Sequence, residues 1–236
     1  MIAVVGLPAW AGAPDGEGSA GGLAVEVAVA ARKRGATVEL VGKIGDDGAG
    51  DAVVVSLGRL GIGHAALLRD PTLPTPLVSA QVVDELSGAD ELTSAVVGLA
   101  SDEGESAAAV VRPVPAILPE NAEERPGLDA ADVDLALRYL ARVSVIVIAD
   151  PLPAAAVVAG AQAAAFSGAR LIVLVPAGGA APAPSSDAIV LETPDRDDGS
   201  FGRLVGIFAG GLEAGLEPGD AFREAVDSAG WERVGP

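Results

Sequence analysis

The chain has 236 residues, no cysteine, few aromatics, half of its residues hydrophobic and a formal net charge of −18 at pH 7. Without thiols, disulfides and thiolate metal centres are excluded, and so acidic a surface repels nucleic acid and anionic lipid. The length fits one large domain, 1–236, and an Ala/Val-rich composition suits helices packed closely on a Val/Ile-rich sheet.

Residues 1–6 form a short apolar run closed by Gly6, which reads as a buried strand. The run carries no basic leader and is too short for a signal peptide, so a cytoplasmic location is expected. Residues 8–22 are rich in Gly, Ala, Pro and Asp and read as loop. A helix follows over 23–34, stopped at Gly35, then a strand over 36–41 and a glycine-punctuated loop over 42–50. Residues 51–60 read as helix, ended by Gly61. This alternation predicts βαβ units and a largely parallel sheet.

In the middle, residues 76–83, 95–100 and 107–112 read as strands joined by short acidic turns. Their closeness predicts antiparallel pairing, because parallel strands need a long crossover. A Pro/Glu loop over 113–127 leads to Asp129, which caps a helix running to Arg142. Residues 143–149 are a strongly β-branched central strand, broken by Asp150, Pro151 and Pro153. Neither this run nor 154–165 reaches the ~20 residues that span a bilayer. Helix over 154–166, strand over 171–175, loop over 177–186 and strand over 188–191 follow, and two helices, over 200–214 and 218–229, close the pattern. No internal repeat or domain boundary stands out.

One ordered series carries more than secondary structure. Gly21-Gly22 opens a helix with the small face Ala28, Ala30, Ala31. Then come Gly35, the run Val41-Gly42-Lys43-Ile44-Gly45-Asp46-Asp47-Gly48-Ala49-Gly50-Asp51, Leu57 and Gly61-Ile62. The series resembles the PfkB/ribokinase family of carbohydrate kinases in register. The resemblance implies a three-layer α/β/α fold with a mostly parallel twisted sheet and some antiparallel strands. It also implies ATP and Mg²⁺ as cofactors if the chain is active, and a sugar or nucleoside as substrate. Gly21 and Gly22 would let a ligand approach a helix N-terminus. The glycines from Gly42 to Gly50 read as turn-shaping.

The later part departs from the family pattern. Residues 187–191 followed by Glu192 and Asp195 resemble the family's strand and metal-proximal motif. Two acids at this spacing could hold Mg²⁺ through water, or form a solvated acidic turn with Asp197 and Asp198. The family's Gly-Ala-Gly-Asp motif, whose amides cradle charge and whose Asp is the base, aligns with Gly199-Ser200-Phe201-Gly202. The base position is then Gly202, which cannot take a proton. Asp220 and Asp198 are the fallback acids, and Asp220 also reads as an exposed first-turn acid. The family's Thr-x-Gly stretch is missing, the lid is expected to be reduced or absent, and Glu26 stands where a sugar-binding Asn is frequent. Asp15 is a candidate replacement for a missing sugar-contacting Asp.

Other chemistry is thin. His64 is the single histidine and reads as a turn residue, no Gly-x-Ser-x-Gly occurs, and Trp10 and Trp231 read as packing or contact anchors. Three functions remain open: a catalytically impaired kinase homologue binding a small ligand or partner through the former sugar cleft, an active kinase with a divergent site, and a structural subunit. A homo-oligomer stays open with each of them.

Overall fold

The computed structural model describes residues 1–12, 18–78, 125–179, 187–194 and 199–229. At its centre is β1 (Ile2–Val5), whose four residues have no solvent exposure. Such a strand shows no polar alternation because helices cover both of its faces. Ile2 and Val4 enter one core layer and Ala3 and Val5 the other, as the two-residue period of a strand requires.

β1 pairs on one side with β4 (Val38–Gly45) and on the other with β7 (Val145–Ile148). β5 (Leu67–Asp70) extends the sheet beyond β4, and β8 (Arg170–Pro176) and β9 (Ile189–Thr193) extend it beyond β7. Every pairing in this six-stranded sheet, ordered β5-β4-β1-β7-β8-β9, is parallel. Helices α1 (Leu23–Lys33), α2 (Gly48–Arg59), α5 (Ser200–Glu213) and α6 (Pro218–Ala229) pack into one layer. Helices α3 (Ala130–Tyr139) and α4 (Ala154–Ser167) form the opposite one. The expected α/β/α sandwich is therefore the observed fold.

Helix α5 lies directly on α1 along Gly202, Gly206 and Gly210. A β-carbon at Gly202 would meet Glu26 and Leu23, one at Gly206 would meet Val27 and Ala30, and one at Gly210 would meet Arg34. The contacts advance together along both helices, so these run parallel with both N-termini at the same end. Glycine spaced by four residues keeps one face bare and lets the backbones touch.

Several sequence expectations need correction. Residues 8–22 contain β2 (Ala9–Gly12) and β3 (Gly18–Gly21), an antiparallel pair. With β6 (Leu77–Val78) they form a separate, small three-stranded sheet, ordered β3-β2-β6. Alanine and glycine give no strand signal; the pairing is held by Trp10, 6 % exposed, stacked where a β-carbon at Gly18 would collide with its ring. Strand β4 continues through Gly42 and Gly45, which sequence reading placed in a turn, and α2 begins at Gly48 rather than Asp51. Both glycines allow close approach: a β-carbon at Gly42 would lie 2.9 Å from the Gly6 carbonyl, and one at Gly45 2.5 Å from the Thr75 nitrogen.

Strand β5 was not foreseen, being four partly exposed residues at the sheet margin. Helix α3 stops at Tyr139, short of Arg142, which adopts a left-handed φ of 62°. Its start is as expected, with Asp129 and Asp132 forming a capping box. Asp132 also pairs with Lys43 and ties α3 to β4. Of the strands expected over 76–83, 95–100 and 107–112, only residues 76–78 fall among the described residues, with Leu77–Val78 as strand, and most of the 113–127 loop lies outside them.

Candidate ligand-binding crevice

From β1 the chain builds outward through β4 to β5, then returns to lay β7 beside β1 and builds the other way through β8 to β9. The direction of winding reverses between β1 and β7. At such a reversal the loops leaving the two strands diverge and open a crevice at their C-terminal ends, where open α/β sheets bind ligands.

Gly6 and Leu7 follow β1 there, and Ala149 and Asp150 follow β7. The Asp150 carboxylate accepts the Leu7 N–H at 2.7 Å. A β-carbon at Gly6 would lie 2.4 Å from the same carboxylate oxygen, so glycine is what admits the acid. Burial disfavours the Asp150 charge more than the Leu7 N–H and the Arg125 guanidinium support it, and its pKa rises to about 6. An acid so placed exchanges protons near neutrality, a property concentrated at functional sites.

The heads of two helices continue the wall. Gly22, with φ 97° and ψ 159°, is the N-cap of α1 in a conformation open essentially to glycine. A β-carbon on it would sit 3.3 Å from the Leu7 carbonyl. Gly21 is the last residue of β3 and packs near Ala11. Gly199, with φ 85°, caps α5, and Ser200 is its first residue. Gly202, expected at the base position, instead faces α1: a β-carbon there would lie 2.7 Å from Glu26 Oε2 and from Glu26 Cβ. The glycine is explained by helix packing, and an aspartate could not enter without displacing Glu26. The Glu26 side chain thus lies against the first turn of α5, where the helix dipole favours a negative charge.

Other predicted residues are elsewhere. Asp220 pairs with Arg223 at 2.8 Å, 62 % exposed. It heads α6 beside the tail of α5, since Gly211 packs on Ala221, and so stands away from the head of α5. Glu192 is exposed on β9. Its expected metal partner Asp195, with Asp15 and Asp198, lies outside the described residues. Among the described residues no group of three or more His, Cys, Asp or Glu side chains could hold a metal ion. His64 sits at a turn, its Nδ1 3.2 Å from the Ile62 carbonyl.

Within the glycine-rich run, Asp47 has a structural task. It caps α2 by accepting the Gly50 N–H, and takes both the N–H and the hydroxyl of Thr75, whose oxygen in turn accepts the Gly45 N–H. Burial opposes the Asp47 charge, yet these hydrogen bonds prevail and hold its pKa below the ordinary value.

Sequence reading missed Asp150, taking it only as a break in an apolar run. The available signal was an acid placed directly behind a β-branched central strand.

No protein-family model and no curated protein matches the sequence. Solved structures share its fold. A PfkB protein from Polaromonas sp. JS666 superposes with a TM-score of 0.62 at 11% identity, over 97% of this chain and 94% of that one. The protein Sa239 gives 0.59 at 12% identity, over 100% and 95%. Arabidopsis thaliana ribokinase, solved with ribose and ATP, gives 0.56 at 15% identity, over 97% and 90%. The chain therefore has the ribokinase-like α/β fold.

Proposed function

We propose that this chain is a single-domain, catalytically impaired relative of the ribokinase-type sugar kinases that binds a small polyhydroxylated molecule, a sugar or nucleoside, in the crevice between β1 and β7. The observation that carries this reading is the Glu26 carboxylate lying against the first turn of α5. A phosphoryl group would need bare amides or a cation at that turn, and it would meet an anion. The described residues therefore do not fit ATP with Mg²⁺. Carboxylates suit hydroxyl groups well, since each accepts an O–H without charge repulsion. Losing a positioned general base alone costs about 10²–10⁴ in rate. In this reading the protein is cytoplasmic and uses neither nucleic acid nor a membrane.

A second reading has one specific support. The same Glu26 carboxylate is an acid at the head of α5 and could serve as base in an active kinase, as could Asp198, which directly precedes the Gly199 cap in sequence. Phosphoryl transfer from ATP to a panel of pentoses, hexoses and nucleosides separates the two. We expect no turnover, together with a thermal shift by at least one sugar or nucleoside that Asp150→Asn weakens. Turnover abolished by Glu26→Gln or Asp198→Asn would establish the active reading.

A further inference from the structure

Strand β9 ends the six-stranded sheet, and no described strand pairs with its outer margin. A bare edge presents unpaired N–H and C=O groups in the spacing of a ladder, a ready template for another strand. Beside it lies a groove of about 740 Å³, walled by Leu191 of β9, Phe201 and Leu204 of α5, and Phe222 and Val226 of α6. Helix α6 packs on α5 through Ala221 and Ala225 but leaves Phe222 41 % exposed, turned edge-on to Phe208. The void separates α6 from the strand margin. A chain laid along β9 would send every second side chain into it.

The charges at this groove select the occupant. Arg223 is engaged by Asp220, whereas Glu192 and Asp227 line the groove with no ion-pair partner among the described residues. The whole chain carries a net charge of −18. A second copy pairing through its own β9 would bring its Glu192 and the rest of this acidic surface against like charge, which disfavours it.

We propose that the open edge of β9 and the groove beneath α6 bind an extended, basic peptide strand of a partner protein, by adding it to the sheet. Backbone hydrogen bonds to β9 supply the pairing, alternate apolar residues fill the groove beside Leu191, and the lysine or arginine residues between them, on the other face of the strand, meet Glu192. The proposal concerns the opposite sheet margin from β5 and stands apart from the crevice between β1 and β7.

The test uses a capped peptide of alternating valine and lysine, its valine–glutamate counterpart, and a lysine peptide interrupted by prolines. With isotopically labelled full-length protein, the lysine peptide should shift and protect amides of β9, and the other two should not. The variant Glu192→Lys should weaken binding about tenfold while leaving the amide spectrum of the free protein otherwise unchanged, because the side chain lies at the surface. The idea is overturned if the lysine peptide fails to bind, if all three peptides bind alike, or if the shifted amides lie away from β9. It is equally overturned if ATP displaces the peptide from those amides, since the groove would then belong to a small molecule.

Discussion

Asp150 links the candidate crevice to the stability of the molecule. Its folded pKa of about 6 lies above that of an unfolded aspartate. The folded state then holds the proton more tightly, so stability falls as pH rises from about 4 to about 6 and levels off above. Asp150→Asn keeps an acceptor for the Leu7 N–H and removes the desolvated charge. We expect the variant to lose that downward slope and to gain about 1–3 kcal/mol at neutral pH. Melting temperatures measured across this range check it; an unchanged slope would mean that the carboxylate is not desolvated. Asp47 acts with the opposite sign, since its depressed pKa adds stability that disappears as acid protonates it.

At the scale of elements, the seam between α1 and α5 makes a sharp demand. A β-carbon at Gly206 would sit 2.4 Å from the Val27 carbonyl and 2.5 Å from Ala30 Cβ, and neither can move freely. Gly206→Ala should destabilise by about 1–3 kcal/mol. Gly219, in the first turn of α6, has no atom within 4 Å of the corresponding position. Gly219→Ala should stabilise by about 0.5–1 kcal/mol through helix propensity and a less flexible unfolded chain. Denaturant titration of both variants tests the seam, because a pure propensity effect would give both the same sign.

The same elements show what the sequence could tell. Helices α3 and α6 were readable from Asp129 and Pro218, and β7 from its β-branched run, because those signals are local. Strands β2 and β3 were not, since alanine and glycine carry no strand signal and the pair is held by Trp10 and by the Ala20 N–H donated to Ser56 of α2. At the head of α5 the sequence likewise hid the neighbour of Gly202, since Glu26 meets it only in the folded chain. The crevice itself depends on Leu7 and Asp150, 143 residues apart, which no local pattern could join.

For the whole molecule, the net charge of −18 opposes compaction. Raising ionic strength from about 0.01 M to about 0.15 M shortens the screening length from about 30 Å to about 8 Å. The melting temperature should rise over that interval, with most of the gain at the low end. A fall would show that the few ion pairs, such as Arg69 with Asp46 and Asp51, outweigh the repulsion.

The central position of β1 bears on how the chain is made. A ribosome releases β1 before the other strands of its sheet, yet one of its two neighbours, β7, is synthesised 143 residues later, with Ile2 finally opposite Val145. Until then the growing polypeptide carries a naked apolar margin at what will be its middle. Completing the sheet therefore waits on a long-range pairing, a slow step that leaves apolar surface open to aggregation.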